Sequence, residues 1–274
     1  MATQPEIELV DLVIIGAGWH GLSAIKTALA LNSSTNVLLL DSASSIGGVW
    51  AEERLYPSLR TNNRLGSYEF SDFPMQENLS PGLVQPGEHI PGRAVHEYLN
   101  AYVDHFGFRD RIRLGWRVDA VEFVEEWIVT CTTTGAEESR QQKEGSCRIR
   151  TPKLILATGL TSQPRIPTFP GQDSFDAPLF HIKAFGHYQD ALFSKRGEIA
   201  KPHKQDTKDI LTPISILGGS KSAWDAVYAC ASQGHPVNWI IRSSGTGPSW
   251  MTPARVFAPL NLLLESLPGV RVLS

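Results

Sequence analysis

The chain has 274 residues, 42% of them hydrophobic and 19% charged, with a formal net charge of −3. That composition builds a globular core of one large or two medium domains. It gives no case for a nucleic-acid partner or an anionic membrane surface, and no apolar run approaches the ~20 residues that cross a bilayer. The first strong element is residues 12–15, apolar and β-branched, followed by Gly16-Ala17-Gly18-Trp19-His20-Gly21 and a helix-prone run over 22–31. Strand, glycine turn and helix in that order form a dinucleotide cradle. Gly16 permits the tight turn, Gly18 admits a pyrophosphate to the backbone, and Gly21 lets helix and strand pack closely. The helix start offers free N–H groups to phosphates. A second strand over 36–40 ends in Asp41, placed to accept hydrogen bonds from a ribose hydroxyl.

Next comes a glycine loop, Gly47-Gly48-Val49-Trp50, in which Trp50 offers a flat apolar face. Residues 54–74 and 81–91 read as irregular loops of the functional kind. A helix is predicted over 92–106, where Val95, Tyr98, Leu99, Tyr102 and Phe106 recur at helical spacing. Two antiparallel strands, 116–123 and 127–133, meet at Val124-Glu125-Glu126, with a polar hairpin tip over 135–145 and a return strand near 147–151. A short strand over 153–157 runs into Ala157-Thr158-Gly159, a further close approach of backbone to ligand. Pro164, Pro167 and Pro170 mark a stiff boundary, and the lysine-rich stretch 195–212 reads as a surface loop. The 3 cysteines, Cys131, Cys147 and Cys230, are isolated from one another, so neither a metal site nor a disulfide pair is expected. So sparse a count suits a reducing, cytoplasmic compartment, as does a polar start without a basic-then-apolar leader.

A second unit repeats the first. A strand over 214–217 leads into Gly218-Gly219-Ser220-Lys221-Ser222-Ala223, a helix to 233 and a strand over 237–241. Gly218 matches Gly16, Ser220 matches Gly18 and Ala223 matches Gly21. This unit ends in Arg242 at nearly the offset where the first has Asp41. An acid repels a 2′-phosphate and an arginine pairs with it. The first cradle should therefore prefer FAD or NAD, and the second NADP. Lys221 is a further charge partner for a phosphate.

These motifs together resemble the flavin-containing monooxygenase group, relatives of the Baeyer–Villiger enzymes, in its fungal members. Gly47-Gly48-Val49-Trp50 is similar to the family's flavin loop. Tyr56 to Asn62, Phe70 to Pro74 and Ala157-Thr158-Gly159 match later family segments, and Phe175 to Phe185, with His181 and with Ala177 where the family has glycine, matches its signature. The resemblance implies an α/β fold of two Rossmann-like units with a small antiparallel insertion at about 116–151. The FAD domain would span 1–163 and the NADPH domain 164–274, with the family's C-terminal return to the FAD domain absent. It implies FAD contacts at Gly16, Ala17, Gly18, Trp19, Gly21, Asp41 and Ser42. Gly48, Trp50, Val118, Ala157, Thr158 and Gly159 would complete that site. NADPH contacts would come from Gly218, Ser220, Lys221, Ser222, Ala223 and Arg242. Asn62 is the implied catalytic residue, holding the flavin peroxide or the nicotinamide amide, with a turn residue as the plainer reading; His181 is expected to be structural. The implied reaction is oxygenation of a small organic substrate, of secondary-metabolite type, with NADPH and O₂ through a flavin C4a-peroxide. A reductase without oxygen insertion, and a non-catalytic or partner-dependent flavoprotein in a homo- or hetero-oligomer, remain the alternatives.

Overall fold

The structure, a computed structural model, describes residues 7–56, 58–77, 79–85, 88–134, 145–160, 162–193 and 213–243. Two compact units emerge, one from Met1–Leu55 with Arg93–Pro164 and the other from Tyr56–Gly92 with Arg165–Ser274. Each unit is thus assembled from two separate pieces of chain.

In the first unit, β2 (Leu12–Ile15) and β3 (Val37–Asp41) lie side by side in parallel, flanked by β10 (Leu154–Leu156) and β6 (Ile112–Leu114). β2 is buried at every position and β3 at all but its last. Apolar runs without alternation are what a parallel sheet covered on both faces requires. The helix α1 (Trp19–Leu31) packs on these strands through buried Gly21, Leu22 and Ile25. A second sheet runs β1-β9-β8-β7, made of β1 (Ile7–Leu9), β7 (Trp116–Val124), β8 (Glu126–Thr133) and β9 (Ser146–Thr151). Val129, Cys131 and Ile149 of that sheet meet Val13, Ile15, Leu38 and Leu40 of the parallel one in a single buried cluster. The helix α2 (Gly92–Phe106) buries Val95, Tyr98, Leu99 and Tyr102, the stripe its spacing predicts.

The hairpin turns at Glu125, whose φ of 64° lies in the left-handed region, with Val124 paired to Glu126 across it. Cys131 and Cys147 stand directly opposite on β8 and β9 and are joined as a disulfide, with Cα atoms 5.3 Å apart. This corrects the expectation of isolated cysteines. Ladder register, which spacing along the chain does not display, brings the two thiols together. Cys230 is buried and unpaired, and burial pushes its thiol up to about 11.

In the second unit, β11 (Ile214–Leu217) and β12 (Val237–Ile240) form a parallel pair covered by α4 (Lys221–Ser232). Phe185 of α3 (Phe185–Phe193) packs with Ala226, Ala229 and Cys230 of α4. Within the stretches expected to be irregular, β4 (Arg60–Arg64) and β5 (His89–Pro91) pair antiparallel. The predicted hairpin tip at 135–144, the lysine-rich stretch 195–212 and everything beyond 243 lie outside the described residues.

Candidate functional site: two matching nucleotide turns

The first turn is built as its glycines predict. Gly16 has φ 111°, and a Cβ there would stand 2.3 Å from the Ala157 carbonyl oxygen. A Cβ at Gly21 would stand 1.8 Å from the Gly16 carbonyl oxygen, so helix and turn touch backbone to backbone. Gly18 is different. It is the N-cap of α1 with an ordinary extended backbone (φ −85°), and a Cβ there would meet Gly48 Cα at 3.7 Å, a normal contact. Nothing in the protein demands glycine at 18. Glycine at the start of α1 leaves the backbone N–H groups unshielded by a side chain, which is what a phosphate approaching the backbone needs.

Around this turn the structure gathers other expected residues of the first unit. The Ala157 N–H donates to the Ile15 carbonyl at 2.8 Å, setting Ala157-Thr158-Gly159 beside Gly16. The Gly47 N–H donates to the Ala17 carbonyl at 2.9 Å, and Gly48 crosses Gly18 at backbone distance. Asp41 accepts the Ala17 N–H at 2.6 Å on one oxygen and the Ala43 N–H at 2.8 Å on the other. A carboxylate has about four lone-pair directions, so two remain for ribose hydroxyls. Ser42 is exposed, and its carbonyl accepts the Thr134 hydroxyl at 3.0 Å. Trp19 stacks at a tilt on Tyr98 with ring centres 5.6 Å apart. Trp50 is 9% exposed, so its ring is mainly a packing element. Val118 packs against the core cluster between the sheets.

The glycine loop has its own clamp, which sequence reading missed. Glu53 accepts the Ser45 hydroxyl at 2.7 Å and the Ser44 N–H at 3.1 Å, while Ser45 Oγ accepts the Glu52 N–H. Burial would raise the Glu53 carboxyl, but the Ser45 hydroxyl, nearby backbone N–H groups and Arg54 outweigh it and hold it below the usual glutamate range. On the other side, His96 Nδ1 lies 3.0 Å from the Trp50 carbonyl, and its Nε2 lies 3.1 Å from the Asn100 amide nitrogen. That pairing puts the proton on Nδ1.

The second turn repeats the first on the same backbone. Gly218 has φ 128°, its N–H donates to the Ile240 carbonyl at 3.0 Å, and Gly16 does the same to Leu40 at 2.8 Å. Ser220, the N-cap of α4, has φ −88° and ψ 178° beside −85° and −173° at Gly18. Serine therefore costs the turn nothing. Ala223 is buried at the place of Gly21, and Ser222 follows Lys221 in the first turn of α4. Leu217 pairs with Ile240 as Ile15 pairs with Leu40. By that register Ile241 stands where Asp41 does, and Arg242, exposed, is one residue further on. Trp239 donates its indole N–H to the Gly218 carbonyl at 2.7 Å, bracing the turn. The Lys221 ammonium pairs with Asp225, which also accepts the Tyr56 hydroxyl at 2.8 Å. Burial, then the Asp225 charge and hydrogen bond, raise the Tyr56 phenol well above its usual value.

Asn62 belongs to the same unit and is exposed on β4. Its neighbour Thr61, 3% exposed, donates its hydroxyl to the Asn63 carbonyl at 2.5 Å and accepts the Ile90 N–H at 3.0 Å. His181 Nδ1 accepts the Lys183 N–H at 3.2 Å and so caps the short helical turn Ile182–Ala184, a structural task. No group of His, Cys, Asp and Glu among the described residues is arranged to hold a metal. No helix among them is long and apolar enough to cross a membrane.

Paired parallel strands, glycine turns and capped helices occurring twice define a flavoprotein fold of two dinucleotide-binding units. A profile of the flavin-binding monooxygenase-like family matches residues 10–201, and the chain belongs to that family. It is 41% identical over 260 residues to the FAD-dependent monooxygenase rstn6 of Aspergillus nomiae NRRL, covering 94% of this chain and 42% of that protein. It is 39% identical over 263 residues to the FAD-dependent monooxygenase resA of Aspergillus sclerotiorum, covering 94% and 41%. The chain thus spans less than half the length of these relatives. Among solved structures, the polycyclic ketone monooxygenase of Thermothelomyces thermophila superposes with a TM-score of 0.64 at 20% identity, over 88% of this chain and 36% of that one. An NADP+-bound cyclohexanone monooxygenase mutant from Rhodococcus sp. Phi1 gives 0.62 at 22% identity, over 86% and 39%. At that identity the likeness establishes the two-unit fold.

Proposed function

We propose that the chain is the nucleotide-binding part of an FAD-dependent monooxygenase that uses NADPH and O₂ to oxygenate a small organic substrate of secondary-metabolite type. The observation that carries this reading is the flank of Gly18, where a Cβ would meet Gly48 only at ordinary contact distance, so that no described residue requires glycine there. The N–H groups at the start of α1 would hold the FAD pyrophosphate, the remaining lone pairs of Asp41 would accept a ribose hydroxyl, and Gly48 would close over the turn. The start of α4 would hold the NADPH pyrophosphate, and Arg242 the 2′-phosphate. Asn62, with an amide that both donates and accepts, would orient the nicotinamide amide or a reacting oxygen. When bound, the flavin supplies electron transfer from the nicotinamide and activation of O₂; the protein supplies placement and charge. A reduced nucleotide as co-substrate fits a cytoplasmic location.

The test is the visible spectrum of the purified chain, followed by anaerobic addition of NADPH. A protein-bound flavin band that bleaches with NADPH and returns on aeration supports the reading. A colourless chain that takes up no FAD on reconstitution overturns it.

A further inference from the structure

Lys221 occupies the first position of α4, directly after the N-cap Ser220. An ammonium there opposes the positive end of the helix dipole, and no acidic residue sits in the first turn to relieve it. Its only charged partner among the described residues is Asp225, one turn on, and lysine before acid is the weaker order for a helical pair. Helix stability therefore does not account for this lysine. Nor does packing account for the acid. Asp225 is 6% exposed on the buried side of α4, next to the core residue Ala226. An apolar residue of similar size would serve that core as well or better. The carboxylate accepts from two donors, the ammonium of Lys221 and the hydroxyl of Tyr56. Tyr56 is itself fixed, its ring standing edge-on to Phe185 at 5.2 Å. The arrangement runs from a core aromatic through a phenol and a carboxylate to an ammonium whose other N–H donors have no partner among the described residues.

We propose that Asp225, steadied by Tyr56, is a positioning residue that holds the Lys221 ammonium at the second turn to receive the pyrophosphate of a nicotinamide dinucleotide. This rests on the reading of that turn as a nucleotide site. It assigns Lys221 to the phosphates that NAD+ and NADP+ share, and leaves Arg242 to discriminate between them. Long-range electrostatics alone predicts the opposite sign for one variant. Removing a carboxylate beside an anion site should tighten anion binding, whereas loss of a positioning residue should loosen it.

The experiment is calorimetric titration of the whole chain with NADP+ and with NAD+, for the parent, Asp225→Asn, Tyr56→Phe and Lys221→Met, and for Asp225→Asn and Tyr56→Phe each combined with Lys221→Met. Tyr56→Phe keeps the ring packing and removes one hydrogen bond, so it reports even if Asp225→Asn folds poorly. Expected are an about tenfold loss for Asp225→Asn, the scale of a charged hydrogen bond, and a smaller, about threefold loss for Tyr56→Phe, which acts one side chain further from the ligand. Both losses should be equal for the two nucleotides and largely vanish in the Lys221→Met background, the mark of residues acting through the lysine. Unchanged or tighter binding by Asp225→Asn, or full losses persisting without Lys221, would overturn the inference while leaving the nucleotide site standing. A parent chain that binds neither nucleotide would overturn the site and the inference together.

Discussion

Gly18 and Gly21 belong to one turn but are glycine for different reasons, and substitution separates them. At Gly21 a methyl group would collide with the Gly16 carbonyl. Gly21→Ala should destabilise the fold by about 1–3 kcal/mol, as overpacked sites do, read as a lowered urea midpoint. At Gly18 the backbone is ordinary and the nearest atom is at contact distance. Gly18→Ala should leave the fold intact, because the poorer N-cap and the stiffer unfolded chain offset each other to within about 1 kcal/mol, while flavin content falls. A Gly18→Ala protein that purifies fully loaded with FAD would remove this position from the cofactor's path. At the other turn, Arg242→Ala should weaken NADPH binding about ten- to hundredfold and leave NADH nearly unchanged, the scale of a charged hydrogen bond to phosphate. An unchanged ratio of the two dissociation constants would take Arg242 out of the site.

Among the elements, the glycine loop and β4 are each held by side chains that respond to a single change. The Glu53 carboxyl is held below its ordinary range in the folded protein. Its contribution is therefore present above the unfolded-state value, about 4.3, and is lost as pH falls through the lower folded value. Glu53→Gln should lower stability above about pH 4.3 and leave the strongly acid region, where the parent has already lost that charge, less affected, so that the acid limb flattens. An acid limb identical to the parent's would show that the Ser44–Ser45 clamp is not coupled to folding. Thr61 is the corresponding device on β4. Thr61→Val leaves the Ile90 N–H without its acceptor, at a cost of about 1–3 kcal/mol, and Thr61→Ser should restore most of it. The same elements show what the chain discloses as a string. The β2 run, its glycine turn and the 92–106 stripe are legible because propensity, period and turn chemistry agree there. β1 and β4–β5 are not, because short pieces with charged or prolyl residues owe their pairing to partners far along the chain. The position of Arg242 just past the second strand was readable, but not its register. Spacing includes a loop of unequal length, and the Gly218–Ile240 hydrogen bond does not.

For the whole molecule, binding at one turn should be visible in one unit's amides. With NADP+ present, hydrogen exchange should slow in β11, α4 and β12 and remain unchanged in β2, α1 and β3. Saturation at about a hundred times the dissociation constant adds about 2.7 kcal/mol of protection to whatever unfolds with the site. Equal slowing in the first unit would assign the nucleotide to the other turn. The Asp225 network lay within reach of sequence reading, since lysine and acid stand one helical turn apart. What concealed it was Tyr56, which reaches Asp225 from a segment that adjoins the glycine loop in sequence but belongs to the second unit in space.

That crossing of the chain sets the order in which the protein can be made. Leaving the ribosome from its N-terminus, the first unit has all its described strands only after β10 has emerged, and the second only after β12. Until then residues 56–92 have been synthesised without the α4 that anchors them through Tyr56. Phe73, Met75 and Ile90, buried in the finished protein, wait in a chain that grows at about 5–20 residues per second. The nascent protein therefore passes an interval on the order of ten seconds in which the segment bearing Asn62 has no fold to join. In that interval a chaperone, or slower growth at low temperature, decides the yield. Substitutions at Tyr56 or Asp225 should be felt there first, as loss of soluble product at 37 °C that is recovered by expression in the cold.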